Sequence, residues 1–197
     1  MRSILVFLTV VLVANAPVAN YAADTRPPSL YERLADKLAR KPALAAQIGK
    51  PAPEMAQIAW LLGDWDVTAR VFATRKEAER VSPGTSKVTP AFGGIWLQFA
   101  DSYGASSPDL SFMTFSPVRR RWVTATVDET TNAIVTTAER WTGNRLVFNG
   151  QVEIVGEVVT LRQTFEKISD RAYRVLNEER LPDGSWVALD EYSYKKR

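Results

Sequence analysis

Glu178 and Glu179 stand side by side in a segment that reads as a β-strand. Glu191 lies on the next such segment, Arg162 on the one before, and Asp101 closes an earlier one. Neighbouring residues of a strand point to opposite faces, so one of the two adjacent glutamates turns inward if the strands wrap a core. A carboxylate enclosed by apolar side chains keeps its proton to higher pH, unless a guanidinium such as that of Arg162 pairs with it. A lone inward carboxylate is a general base for moving a proton, and Arg162 beside it would steady an oxyanion. Paired, the two would hold the polar head of a ligand. On this reading the catalytic candidates are Glu178, Glu191 and Arg162. The competing reading leaves these charges in solvent, with Glu and Arg paired across neighbouring strands.

The aromatic residues are the second set. Trp96, Phe99, Phe112, Trp122, Trp141 and Tyr192 fall on six different predicted strands. Trp96 shares a side with Gln98, and Trp122 with Thr124 and Thr126. Apolar faces carrying a few polar groups are what small-molecule sites are made of. With Arg162 these six form the candidate ligand-binding set; core packing is the other use for each of them.

Two absences narrow the chemistry. The chain has no His and no Cys. A His-based triad, a thiol nucleophile, a Cys/His zinc site, a His- or Cys-ligated haem and any disulfide are therefore excluded. No phosphate-binding loop and no dinucleotide-binding glycine pattern occurs. The oxygen-rich stretch DETTN at 128–132 lacks the spacing of a calcium loop and reads as a solvated hairpin tip. No metal and no cofactor is expected. The formal net charge of +3 is small, and the basic runs at 119–121 and 195–197 read as a solvated turn and a solvated end, so nucleic acid is not an expected partner.

The first residues point to export. Arg2 supplies a positive charge, residues 4–14 are apolar apart from Thr9, and small residues follow in ANAPVANYAAD. That pattern predicts a secretory signal peptide over residues 1–22, cut after Ala22, and a periplasmic or secreted product. No Cys follows the apolar run to carry a lipid anchor, and no later segment is apolar for the roughly 18 residues a spanning helix needs.

The elements that must position these side chains follow from the periodicity. Residues 23–56 form a linker and an amphipathic helical segment. Ser29 and Glu32 have capping-box spacing ahead of Leu30, Leu34 and Leu38, predicting a helix within 29–47. This helix packs on its own domain, docks on a partner or lies on a membrane surface. A short helix over 54–62 carries Met55, Ile58 and Leu62 on one side and ends at Gly63. From Trp65 the period drops to two. Strands are predicted at 65–73, 85–91, 95–103, 110–116, 121–128, 134–142, 145–154, 158–167, 172–181 and 185–195, with a polar loop at 73–83. Turn residues punctuate them: SPG at 82, GG at 93, SSPD at 106, SPVRR at 116, TGN at 142, VGE at 155 and PDG at 182. Strands joined by turns without crossover helices make an antiparallel sheet, and a run this long curls into a barrel or splits into a sandwich.

Four stretches decide between these: LLGDWDV, GTSKVTPAFGGIWLQF, FMTFSPVRRRWV and RLPDGSWVALDEYSYKK, in that order. Their order and spacing resemble the bacterial DUF1579 family, a lipocalin-like domain of unknown function, over about residues 57–197. The resemblance implies a single antiparallel barrel in which the glycine allows the turn from helix to strand and the tryptophan plugs the base. It offers no catalytic residues. Related nitrobindin-type barrels hold haem on a His that this chain lacks. The expectation is an all-β protein: one lipocalin-like barrel of about ten strands at 57–197 with an N-terminal helical segment. It would bind a small apolar or amphipathic molecule without catalysis. The alternatives are a cofactor-independent isomerase, cyclase or lyase, and an interaction module using helix 29–47. Oligomeric state is open.

Overall fold

The computed structural model describes residues 26–104, 109–127, 133–154 and 156–197. The expected signal peptide, the DETTN stretch and most of the SSPD turn lie outside these residues. The chain divides into two units, 1–40 and 41–197. In the first, helix α1 (Leu30–Ala39) opens on a complete capping box: the Ser29 hydroxyl accepts from the Glu32 N–H, and the Glu32 carboxylate accepts from the Ser29 N–H. Leu30, Tyr31 and Leu34 on its apolar stripe are exposed. No helix among the described residues is long and apolar enough to cross a membrane.

The second unit holds a one-turn helix α2 (Pro42–Ala45), a 3₁₀ helix (Pro53–Leu61) and the sheet. Among the described residues ten strands close into one antiparallel barrel. They are β1 (Gly63–Val71), β2 (Arg80–Ala91), β3 (Trp96–Tyr103), β4 (Asp109–Ser116), β5 (Arg121–Val127), β6 (Ile134–Ala138), β7 (Arg145–Ile154), β8 (Glu157–Ser169), β9 (Ala172–Arg180) and β10 (Trp186–Lys196). Each pairs with the next in sequence, and β10 returns to β1 with Val67 opposite Tyr194. Closure leaves no edge strand to template aggregation. Alternation explains β1 directly: Trp65, Val67 and Ala69 are buried, while Asp66, Thr68 and Arg70 are exposed. A third short helix caps the β2–β3 turn at Phe92–Gly94.

Three elements depart from the sequence expectation. β2 begins at Arg80, five residues early and inside the stretch expected to be a polar loop, because residues 80–84, SPG included, pair with β1. β6 stops at Ala138, four residues early, because Glu139 and Arg140 turn out to solvent and Trp141 sits in the link to β7. The helix before β1 is 3₁₀, not α. Its buried residues are Met55, Ile58 and Leu61, at intervals of three. A 3₁₀ helix has three residues per turn, so these side chains align on one edge and enter the barrel end together. An α-helical period had put Leu62 there instead of Leu61.

The base of the barrel is a layer of rings. Trp65 is 0 % exposed, and its indole N–H donates to the Leu61 carbonyl at 2.8 Å. Its ring meets Tyr173 edge-on at 4.9 Å and Trp60 at 6.5 Å. The Lys196 ammonium lies 5.2 Å above the same ring and donates to the Trp60 carbonyl at 3.0 Å. Gly63 makes this possible: its φ is +124°, and a Cβ there would stand 3.2 Å from Lys196 Cε. We predict that Gly63→Ala lowers stability by about 1–3 kcal/mol, the range for a side chain forced into such a backbone conformation. Urea unfolding checks this; an unchanged midpoint would show that the turn relaxes without strain.

Candidate functional site: the barrel cavity

Above the ring layer the barrel encloses a cavity of about 300 Å³. That volume is at the low end of small-molecule sites. Its floor is aromatic. Tyr173 stacks on Tyr194 at 4.1 Å with 6° between planes, and Phe165 lies parallel to Tyr173 on the other side at 6.3 Å. Tyr173 therefore both touches Trp65 and lines the cavity, joining the plug to the site.

One wall is hydroxylic. On β4, β5 and β6 the register brings Ser111 opposite Thr126 and Thr124 opposite Thr136. Their hydroxyls bond across the strands at 2.9 Å and 2.6 Å respectively. Carboxylates enter the lining from β3, β4 and β10. Asp101 on β3 and Asp109 on β4 are directly opposite partners, and Asp190 on β10 stands opposite Asn177 on β9. The Asn177 amide donates to Asp190 at 2.7 Å. Burial, and to a smaller degree the nearby Asp109 charge, push the Asp190 carboxyl up to about 6 against the hydrogen bond from Asn177. Burial also raises Asp101, offset in part by the hydroxyls of Ser86, Tyr103 and Tyr194 around it. Those hydroxyls do not satisfy it fully: Asp101 Oδ1 and Ser86 Oγ have no partner in hydrogen-bond geometry, and neither has the Tyr173 hydroxyl. Tyr103 and Tyr194 instead share a hydrogen bond with each other at 3.1 Å. Among the described residues no Lys or Arg lines the cavity.

Gly84 positions one of these groups. A Cβ on it would come within 2.5 Å of the Ser102 carbonyl and 2.7 Å of the Tyr103 ring. Only a bare backbone lets β2 approach β3 closely enough to leave the Tyr103 ring where it lines the cavity.

The family model for DUF1579, a protein of unknown function, matches residues 50–196. The chain belongs to the DUF1579 family. The family span takes in the 3₁₀ helix and every strand, so the ring layer and the cavity both lie inside it. No curated protein matches the chain. Among solved structures the chain is similar to Rv2717c from M. tuberculosis, with a TM-score of 0.57 over 75% of this chain and 99% of that one at 10% identity. At that identity the similarity speaks to fold alone. A DUF3598-family protein of unknown function from Nostoc punctiforme aligns with a TM-score of 0.42 over 72% of this chain and 49% of that one, at 15% identity.

The structure separates the residues singled out from sequence. Phe99, Phe112 and Tyr192 border the cavity, although the Phe112 ring packs against Phe92 and Trp96. Trp96 lies outside the cavity, one position out of phase with the inward Leu97 and Phe99. Trp122 does face inward with Thr124, but it sits deeper, in the core, 1 % exposed and edge-on to Phe115. Trp141 packs on the core from the link after β6. Arg162 is on the outer face, because Leu161 and Gln163 take the inward positions of β8. There it forms a two-point pair with Glu178, with contacts of 2.7 Å and 2.6 Å, and its guanidinium stacks 4.1 Å over Trp186. Glu191 also faces out and meets Arg174 at 3.3 Å. The catalytic trio thus belongs to a cross-strand charge ladder, the competing reading. The Arg162–Glu178 pair is half-buried and two-pronged, the geometry in which an ion pair on an outer face contributes most.

Of the ionisable groups read from sequence, Asp101 is the one placed in the cavity. Asp109 and Asp190 were not singled out. For Asp190 a signal existed: it shares the face of Tyr192 and Tyr194 at a spacing of two.

Proposed function

We propose that this protein is an exported carrier that holds one small amphipathic molecule inside its barrel. The observation that carries the reading is the cavity of about 300 Å³, floored by aromatic rings and walled by inward polar groups. Two of its lining residues, Asp101 and Tyr173, each carry a buried oxygen without a hydrogen-bond partner. A buried polar atom left unsatisfied costs about 1–3 kcal/mol, which a ligand supplying the missing partner recovers. Rigid aromatic surface gives such a ligand apolar contact at little entropic cost.

Native mass spectrometry of protein purified from the envelope of a cell with its normal lipids tests this. An added mass that is lost on denaturation is expected, on a polypeptide beginning at Ala23. A bare polypeptide across several mild extractions would count against a retained ligand. Arg162→Ala and Glu178→Gln are expected to leave the added mass in place, because both side chains lie outside the barrel.

One observation favours a second reading, turnover rather than carriage. Asp190 titrates at about 6 and lines the cavity, so it is poised to take and return a proton near neutral pH. In that reading Asp190 replaces the outward glutamates as base, and Tyr103 or Tyr194 supplies the hydroxyl that steadies an oxyanion. Exchange of substrate hydrogen with deuterated water, abolished by Asp190→Asn, would mark it.

A further inference from the structure

We propose that the closed end of the barrel docks on an anionic lipid surface. The antiparallel order brings the β2–β3, β4–β5 and β8–β9 turns to this one end, the end that the 3₁₀ helix enters. Each turn presents one large apolar side chain to solvent: Phe92 is 71 % exposed, Val118 58 % and Ile168 63 %. Irregular backbone accompanies all three. Phe92 has a φ of +49°, and Arg120, two residues after Val118, has a φ of +52°. At Ile168 a bulge between Lys167 and Ser169 breaks the β8–β9 register. Positive φ is uncommon for a residue with a Cβ and calls for a reason. At Phe92 burial is not that reason, since its ring touches Phe112 and otherwise faces water.

The same end is basic. Arg119, Arg120, Arg121 and Arg140 are exposed, as are Lys50 and Lys195. Among the described residues none of these six has an ion-pair partner. Arg120, Arg121 and Arg140 line one recess together with Glu54 and Glu139. Against the six cations stand Glu54, Asp64 and Glu139. Asp66 and Asp170 are already matched by Arg197 and Lys167, so the end keeps a positive excess. An anionic membrane attracts each such cation and takes apolar tips into its headgroup layer. Three tips spaced around a rim meet a flat occupant together, whereas a peptide needs a groove. A nucleic acid would use the arginines and leave Phe92, Val118 and Ile168 in water. The opposite end exposes valines too, but there Val158 lies opposite Glu153 and next to Glu157, which an anionic surface repels.

The test is flotation of the purified protein with vesicles of phosphatidylcholine, alone or mixed with phosphatidylglycerol. Binding to the mixed vesicles is expected, falling as salt rises and about tenfold or more weaker on phosphatidylcholine alone. Arg119→Glu combined with Arg120→Glu should weaken it about tenfold or more, and Phe92→Ser by about tenfold. Val118→Ser repeats the apolar test at a separate tip, and circular dichroism confirms that each variant is folded. Val158→Asp, at the opposite end, should leave binding unchanged. Equal binding to both vesicles, or none to either, overturns the proposal. So does binding that survives the arginine substitutions, since another part of the chain then carries it. Binding that needs the arginines but ignores both Phe92→Ser and Val118→Ser marks a surface for soluble polyanions and overturns the lipid assignment. None of these outcomes bears on the carrier reading, which the added mass decides.

Discussion

Trp65→Ala is expected to lower stability by about 3–5 kcal/mol, the cost of emptying a large aromatic site in a packed core. The side chain is fully buried, and three neighbours lose their contact at once: the Tyr173 edge, the Trp60 ring and the Lys196 ammonium. The Leu61 carbonyl loses its indole donor as well. For a domain of this size the effect corresponds to a melting point about 10 °C lower. Trp65→Phe should recover much of the packing but not the hydrogen bond, and so fall between. Trp96→Ala is the control: that ring lies outside the cavity and the core, and its loss should cost clearly less. If Trp65→Ala unfolds in urea at the wild-type midpoint, the ring layer is not what closes the barrel. The substitution also reads on the site, because Tyr173 rests on Trp65 below and lines the cavity above. Loss of the retained mass from folded Trp65→Ala would show that the plug holds the cavity floor in place.

The fold was legible because its signals are local. Trp65, Val67 and Ala69 alternate cleanly with Asp66, Thr68 and Arg70, and turn residues mark the hairpins. Gly63 and Trp65 announced the passage from helix to barrel. The site was less legible because period two says that faces alternate, not which face is inside. In β4 the run Leu110 to Phe115 is apolar or small on both faces, so choosing Phe112 over Ser111 and Asp109 was arbitrary from sequence. In β8 and β9, Arg162 and Glu178 looked like an inward pair because a salt bridge suits a buried site as well as a surface. Their register places them opposite each other, but outside. Bulk compounded the problem, since tryptophan is the obvious candidate for a ligand wall. Here Trp65 and Trp122 went to the core and Trp96 stayed outside the cavity, leaving tyrosines and small hydroxyl residues to line the space. Near Asp190 the pairing of β10 with β9 slips by one residue after Ala188, so the inward phase of Tyr192 does not extend past it. A barrel cavity exists where large inward side chains are missing, and an absence of bulk is a faint signal in a sequence.

Asp190→Asn is expected to stabilise the ligand-free protein at pH 8 by about 3 kcal/mol and to change little near pH 4. The sign follows from burial. In the fold the carboxyl titrates at about 6, against 3.8 for the unperturbed group. Between those values the folded chain keeps a proton that the unfolded chain has released. Stability therefore falls as pH rises through this window, and above it the full cost of the buried charge is present. Asparagine never carries that charge, and its side-chain oxygen can still accept from Asn177. Asp101, raised by burial in the same direction, adds to the wild-type slope, so the single substitution should flatten the profile without abolishing it. Urea unfolding of wild type and variant at several pH values gives the difference. Equal stability at pH 8 would mean that the Asp190 carboxylate is well solvated in the fold.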